Sequence, residues 1–111
     1  MPDHKMSLQP KYFKKIASGE KSIECRLFDE KRKMIKAGDF IDFENVKSHD
    51  IFRVKVTELI YSKTFAELID QVGVAAVGGS DKQNFLAELY EFYTPKQESS
   101  LGVVGIKIAL L

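Results

Sequence analysis

Apolar residues recur along this chain with two different periods, and the switches between them mark out its elements. "HKMSLQ" (4–9) reads as a short strand. "PKYFKKIASG" (10–19) places Tyr12, Phe13, Ile16 and Ala17 at helical spacing. Those four residues are expected to face the core, with Pro10 in the first turn and Gly19 as the C-terminal stop. In "KSIECRL" (21–27) the period drops to two: Ile23, Cys25 and Leu27 point one way, Ser22, Glu24 and Arg26 the other. "FDEKRKMIKAGD" (28–39) is a charged connection that ends in a Gly38-Asp39 turn signal. "FIDFENV" (40–46) and "IFRVKVTELIYS" (51–62) return to strands, joined by a hairpin loop at "VKSHD". In the second, Phe52, Val54 and Val56 alternate with Arg53, Lys55 and Thr57, the pattern of a half-buried strand.

Two helices follow. Thr64 with Glu67, and Ser80 with Gln83, each fit a capping box, in which side chains satisfy orphan backbone donors. The first helix is predicted to bury Phe65, Leu68, Ile69 and Val72, the second Phe85, Leu86, Leu89, Tyr90 and Tyr93, with Pro95 closing it. "VGVAAVGG" (72–79) between them lacks the Gly-x-Gly-x-x-Gly or Lys-Ser/Thr pattern of a phosphate loop. "GVVGIKIALL" (102–111) has the continuous apolar character of a central strand. The order β-α-β-β-β-α-α-β predicts an α+β fold on a curved, largely antiparallel sheet with about three flanking helices. Closure of that sheet as a small barrel would remove its exposed edges.

At 111 residues the chain suits a single domain (1–111) with one real hydrophobic core. Its start lacks the basic-then-apolar layout of a secretory signal, and no apolar run approaches the ~20 residues of a membrane helix. A cytoplasmic protein with no membrane association is expected. Cys25 is the sole cysteine, and its alternation with Ile23 and Leu27 marks it as a buried small hydrophobe. His4 and His49 make no familiar metal spacing with it, so neither metal nor cofactor is expected. Charge is uneven. Residues 1–39 hold ten Lys/Arg against six Asp/Glu, and the remainder seven against ten, +4 and −3. That asymmetry favours an anionic partner on the N-terminal side, although solvated lysines on a helix explain it equally well.

The densest chemistry lies in "GEKSIECR" (19–26). Glu24 and Arg26 share a strand face, while Lys21 has the parity of the buried Ile23 and Cys25. Strict alternation would bury its charge, so Lys21 is expected to swing out just after Gly19 and reach a pocket rim near Glu24. From the residues alone, these charges are either a salt-bridged solvated face or the lining of a site. Tyr93 is likewise either a helix-end core residue or a base-stacking platform. Lys31, Arg32 and Lys33 read as a solvated loop able to extend a basic rim.

"GEKSIECR" also resembles the Gly-x-Lys-x-x-Glu-x-Arg signature of the ASCH (activating signal cointegrator homology) domain, with "IKAGD" and the last strand following in the expected order. The resemblance spans nearly the whole chain. It implies a PUA-like β-barrel that binds RNA or a nucleotide-like ligand in a cleft lined by Lys21, Glu24 and Arg26. A small-protein branch of the same family resembles an amidohydrolase of N4-acetylcytidine, with a lysine, a threonine three residues later and a distant glutamate. Lys21 matches that lysine, while Glu24 stands in the threonine's place. The enzyme alternative would make Lys21 the base or nucleophile and Glu24 a proton shuttle, with Glu67, Asp70 or Asp81 as substitutes for the distant glutamate only if the fold brings one close.

Overall fold

The computed structural model describes residues 3–111. In chain order the elements are β1 (Asp3–Leu8), α1 (Pro10–Ala17), β2 (Ile23–Leu27), α2 (Glu30–Lys33), β3 (Phe40–Asn45), β4 (Ile51–Ser62), α3 (Phe65–Val72), α4 (Lys82–Leu89), α5 (Pro95–Leu101) and β5 (Val103–Leu110). The five strands form one mixed sheet in the order β1-β3-β4-β5-β2. β1 runs parallel to β3; every other neighbouring pair is antiparallel. The fold is α+β, and the sheet curls into a half-barrel. β1 and β2 remain its two edges, so the ring of backbone hydrogen bonds does not close.

Curling has a local cause in β4. Its register against β5 shifts between Val56 and Glu58, a bulge at Thr57 that sharpens the twist of a long strand. β5, hydrogen-bonded on both sides, is interior as its apolar run predicts, with Val103, Val104, Gly105, Ile106 and Ile108 all buried. Two apolar clusters flank the sheet. One fills the curl with Met6, Leu8, Ile16, Ile41, Phe43, Val54, Val56, Val104 and Ile106. The other lies under α3 and α4 and joins Ile23, Cys25, Leu27 and Val103 to Phe65, Leu68, Ile69, Val77 and Phe85. Gly105 permits that second contact, since a Cβ there would sit 3.1 Å from both Ile23 Cγ2 and Leu68 Cδ1.

Several local expectations change. α1 buries Ile16 and half-buries Tyr12 and Phe13, but Ala17 points to solvent. The charged connection contains the short helix α2, capped by Asp29, whose carboxylate accepts from Arg32 N at 3.0 Å. Thr64 caps α3 as expected, accepting from Glu67 N at 3.1 Å. α4 starts one residue later than its sequence signal: Asp81, not Ser80, is the cap, accepting from Asn84 N at 3.0 Å. A carboxylate accepts more strongly than a hydroxyl, which settles that competition. α4 also ends at Leu89, with Tyr90 exposed and Tyr93 half-buried beyond it. Pro95 opens α5 rather than closing α4, and the complete capping box belongs to Thr94 and Gln97 there. No helix among the described residues is long and apolar enough to cross a membrane.

Candidate functional site

β2 carries the site because both of its faces are covered. Ile23, Cys25 and Leu27 pack into the cluster under α3 and α4. Glu24 and Arg26 pair across the ladder with Ile106 and Val104, residues of the inner cluster, so they point into the curl at its open edge. The solvated-strand alternative therefore fails on geometry. Glu24 is 6% exposed and Lys21 only 3%.

Lys21 does not swing out to a rim. It stays buried, as strand parity dictates, because the fold supplies the partners that its charge demands. Lys21 Nζ donates to Val77 O at 2.7 Å and stands 3.1 Å from Glu24 Oε1. It also lies 4.7 Å from the ring centre of Tyr12 and 5.5 Å from that of Phe85, close enough for both π faces to attract the cation. The glycine-rich segment thus acts structurally. Ala76 O accepts from Ser22 N and Ile23 N, and Gly78 lets the lysine stem pass, since a Cβ there would meet Lys21 Cδ at 2.9 Å.

Glu24 is the hub. Its second oxygen accepts from Arg26 Nε at 2.7 Å, and Arg26 Nη2 donates across the open seam to Ser7 O of β1 at 2.7 Å. Arg26 therefore fastens the two unpaired sheet edges to each other. Burial by itself would raise the Glu24 carboxyl, but the adjacent Lys21 and Arg26 outweigh it and hold the group below its usual range. Burial alone would lower the Arg26 guanidinium; Glu24 reverses that and raises it. Burial pushes the Cys25 thiol up to about 12, an inert thiol rather than a nucleophile.

These groups form the floor of a cavity of about 340 Å³, whose walls come from α1, α4 and the turn after it. Tyr12, Phe85, Leu89, Phe92 and Tyr93 line it. Tyr93 stacks on Phe65, with centroids 5.5 Å apart and planes at 28°, and also borders the cavity. Burial raises its phenol, and the nearby Arg26 charge opposes that rise. Phe92, 63% exposed, forms an aromatic lip at the mouth.

The structure thus brings Lys21, Glu24, Arg26 and Tyr93 to one cavity. It leaves Glu67, Asp70 and Asp81 out of it: Glu67 is exposed on α3, Asp70 pairs with Lys82 at 2.6 Å, and Asp81 caps α4. Besides Glu24, the acidic side chain at the cavity is Glu88, which accepts from Tyr12 Oη at 3.0 Å and Lys11 Nζ at 3.1 Å. Sequence reasoning missed it, and it assigned Tyr12 and Phe85 simply to the core. One signal was present: Glu88 follows Phe85 by three residues, so the two share a helix face. His4 and His49 lie apart from the cavity, on Asp39 and Glu44 respectively, each at 2.8 Å. Among the described residues, no cluster of three or more His, Cys, Asp or Glu side chains could hold a metal ion.

The family model of the ASCH domain matches residues 6–111. This chain belongs to the ASCH domain family. Among solved structures, the hypothetical protein PH0355 superposes with a TM-score of 0.89 at 35% identity, covering 99% of this chain and 100% of that one. Protein PF0455 from Pyrococcus furiosus gives 0.80 at 33% identity, over 99% and 98%. An ASCH protein from Zymomonas mobilis gives 0.69 at 14% identity, over 95% of this chain and 65% of its own, and supports the fold alone. Comparison with curated proteins gives no match. In this ASCH domain, then, the four signature residues have separable places. Gly19, at φ +85°, ends the helix turn; Lys21, Glu24 and Arg26 form the buried charge cluster.

Proposed function

We propose that this ASCH domain binds a nucleotide unit, free or at an accessible position of an RNA, with Lys21, Glu24, Arg26 and Tyr93 facing the ligand. One observation carries the reading: a buried carboxylate clamped between two cations forms the floor of an aromatic-walled cavity. Its volume of about 340 Å³ sits at the small end of the ~300–1,000 Å³ typical of small-molecule sites, the scale of one nucleoside rather than a length of strand. Tyr93 and Phe92 offer stacking faces, Arg26 has donors in reserve beyond those spent on Glu24 and Ser7, and Glu24 is an acceptor suited to an exocyclic amine. The charges are already bonded to one another, so little reorganisation is required on binding. The family's PUA-like architecture, associated with RNA, supports the same reading.

Titration with the four ribonucleosides, their monophosphates and short single-stranded RNAs at low salt tests it. Binding is expected to weaken about tenfold or more in Tyr93→Leu and Arg26→Gln, on the scale of a lost stack or charge-assisted bond. Failure of every nucleoside, nucleotide and RNA to bind at low salt overturns the proposal.

A second reading, deacylation of an N4-acetylcytidine-type nucleoside, has one observation in its favour: Glu88 brings a distant glutamate to the cavity that Lys21 occupies. Glu24, standing where that branch carries threonine, weighs against it. Release of cytidine from N4-acetylcytidine, abolished in Glu88→Gln, supports this reading; no cytidine after prolonged incubation removes it.

A further inference from the structure

Arg26 and Ser7 line two cavities, not one. Behind the seam that they bridge lies a recess of about 360 Å³, on the outer face of β1 and β3 and beside α2. Its walls include the cations Lys5, Lys31 and Arg32. Among the described residues neither Lys5 nor Lys31 takes part in an ion pair, and Arg32 Nε is buried with no hydrogen-bond partner, although Arg32 Nη1 reaches Asp29 at 3.2 Å. Two carboxylates also border the recess; each is bonded to a residue outside it, and besides the Arg53 bond the Lys5 charge also helps lower the Asp42 carboxyl. Asp42, opposite Lys5 in the β1–β3 register, binds Arg53 at 2.8 Å, and Glu44 binds His49 at 2.8 Å.

We infer that this recess is an anion site that takes the phosphate of the nucleotide whose base occupies the neighbouring cavity. The inference rests on the nucleotide reading above and deepens it: the ligand is a phosphorylated nucleotide or an RNA residue, not a free nucleoside. The chemistry is complementary. The base cavity offers aromatic faces and an internally paired charge cluster, whereas the recess offers two exposed lysines and the Arg32 guanidinium. Arg26 stands between them, so a ligand engaging both spans only one side chain. Lysine is a flexible point charge suited to phosphate, and arginine adds a directed donor.

NMR titration of the labelled full chain separates the two ideas, with ribonucleosides, their 5′- and 3′-monophosphates, and inorganic phosphate as probes. A monophosphate is expected to bind about tenfold or more tightly than its nucleoside, with a steeper salt dependence. The double variant Lys5→Ala/Lys31→Ala, which changes two exposed side chains, should erase that difference and leave nucleoside affinity unchanged. Equal binding of nucleoside and monophosphate overturns the recess while sparing the base cavity, as does equal weakening of both in the double variant. Phosphate shifting the Lys5, Lys31 and Arg32 amides while no nucleoside binds would keep the anion site and remove the base reading. No response to phosphate or to any monophosphate overturns the recess outright.

Discussion

Glu24 shows how one side chain converts a strand into a site. It alone compensates two neighbouring cations, so removing it leaves Lys21 and Arg26 facing each other across a buried gap. Glu24→Ala is expected to destabilise the fold by about 3–5 kcal/mol in urea unfolding, the scale for breaking a buried ion pair on one side. The pH dependence has a definite sign. The folded carboxyl titrates below its ordinary 4.5, so its stabilisation is fully present above that value and disappears as pH falls through the lower, folded one. Urea midpoints followed into acid should therefore decline less steeply in Glu24→Gln than in the unaltered protein. Gly78 tests the other side of the cluster. At φ +90° with Lys21 Cδ 2.9 Å from any Cβ, Gly78→Ala carries both backbone strain and displacement of Lys21. Gly73, at φ +88°, has nothing within 4 Å, so Gly73→Ala carries the strain alone, about 1–3 kcal/mol. Gly78→Ala should cost more than Gly73→Ala in the same assay and also weaken ligand binding; equal costs and intact binding would refute the packing role. Lys21, Glu24 and Arg26 were recognisable in the sequence by type and spacing; the role of Gly78 was not. The depth of those three charges was hidden too, because alternation in "KSIECRL" cannot reveal that both faces of the strand are covered.

At the scale of elements, α5 explains why α3 is held so firmly. The start of α3 receives two acceptors: Thr64 on Glu67 N, and the buried Glu98 of α5 on Phe65 N at 2.7 Å. Tyr90 Oη donates to the same carboxylate at 2.9 Å, tying the turn after α4 to this junction. Glu98→Ala leaves the Phe65 amide buried and unpaired, a loss of about 1–3 kcal/mol. Hydrogen exchange should locate it, with the Phe65 amide accelerating more than amides within β4. Thr94→Ala, which removes a cap from α5, should cost about 1 kcal/mol. Helix periodicity located α1, α3 and α4 in the sequence. α5 was hidden because its segment, "PKQESSL", lacks an apolar stripe and forms through its cap and its buried glutamate. The boundary at Pro95 was misassigned for a related reason: proline terminates one helix and initiates another with equal ease, and only the neighbouring Thr94 cap distinguishes the cases.

Across the whole molecule, the half-barrel leaves a seam between β1 and β2, and the candidate site occupies it. Sheet edges usually need protection from edge-to-edge pairing. Here the Arg26–Ser7 bond, together with α1, α2 and the turn after α4, occupies the gap with side chains instead of a backbone ladder. A ligand that spans the seam links the first and last strands of the sheet order and should stabilise the whole fold. At a nucleotide concentration about 100 times its Kd, the expected gain is ~2.7 kcal/mol, visible as a rise of several degrees in Tm. Nucleotide that binds without raising Tm would show that the unfolded chain binds it equally well. A second tie, His4 to Asp39, anchors β1 to the turn before β3. The His4 bond is the largest of the influences that lower the Asp39 carboxyl, and the Lys36 backbone N–H adds to it.

What the sequence determined by itself was local: the order of the strands, three of the helices, the α+β class, the buried character of Cys25, and the position of the charged signature at the start of a strand. Those follow from side-chain period, caps and turn residues, which act over a few neighbours. Tertiary structure decided the rest. It curled the sheet without closing it and covered the second face of β2. It set Val77 O and two aromatic rings around Lys21, and it brought Glu88 from α4 to the cavity in place of the acids that the sequence suggested. The Lys21–Val77 and Tyr12–Glu88 contacts join residues more than fifty positions apart. Burial and charge pairing between such residues arise only from the packing of whole elements, which no local period encodes.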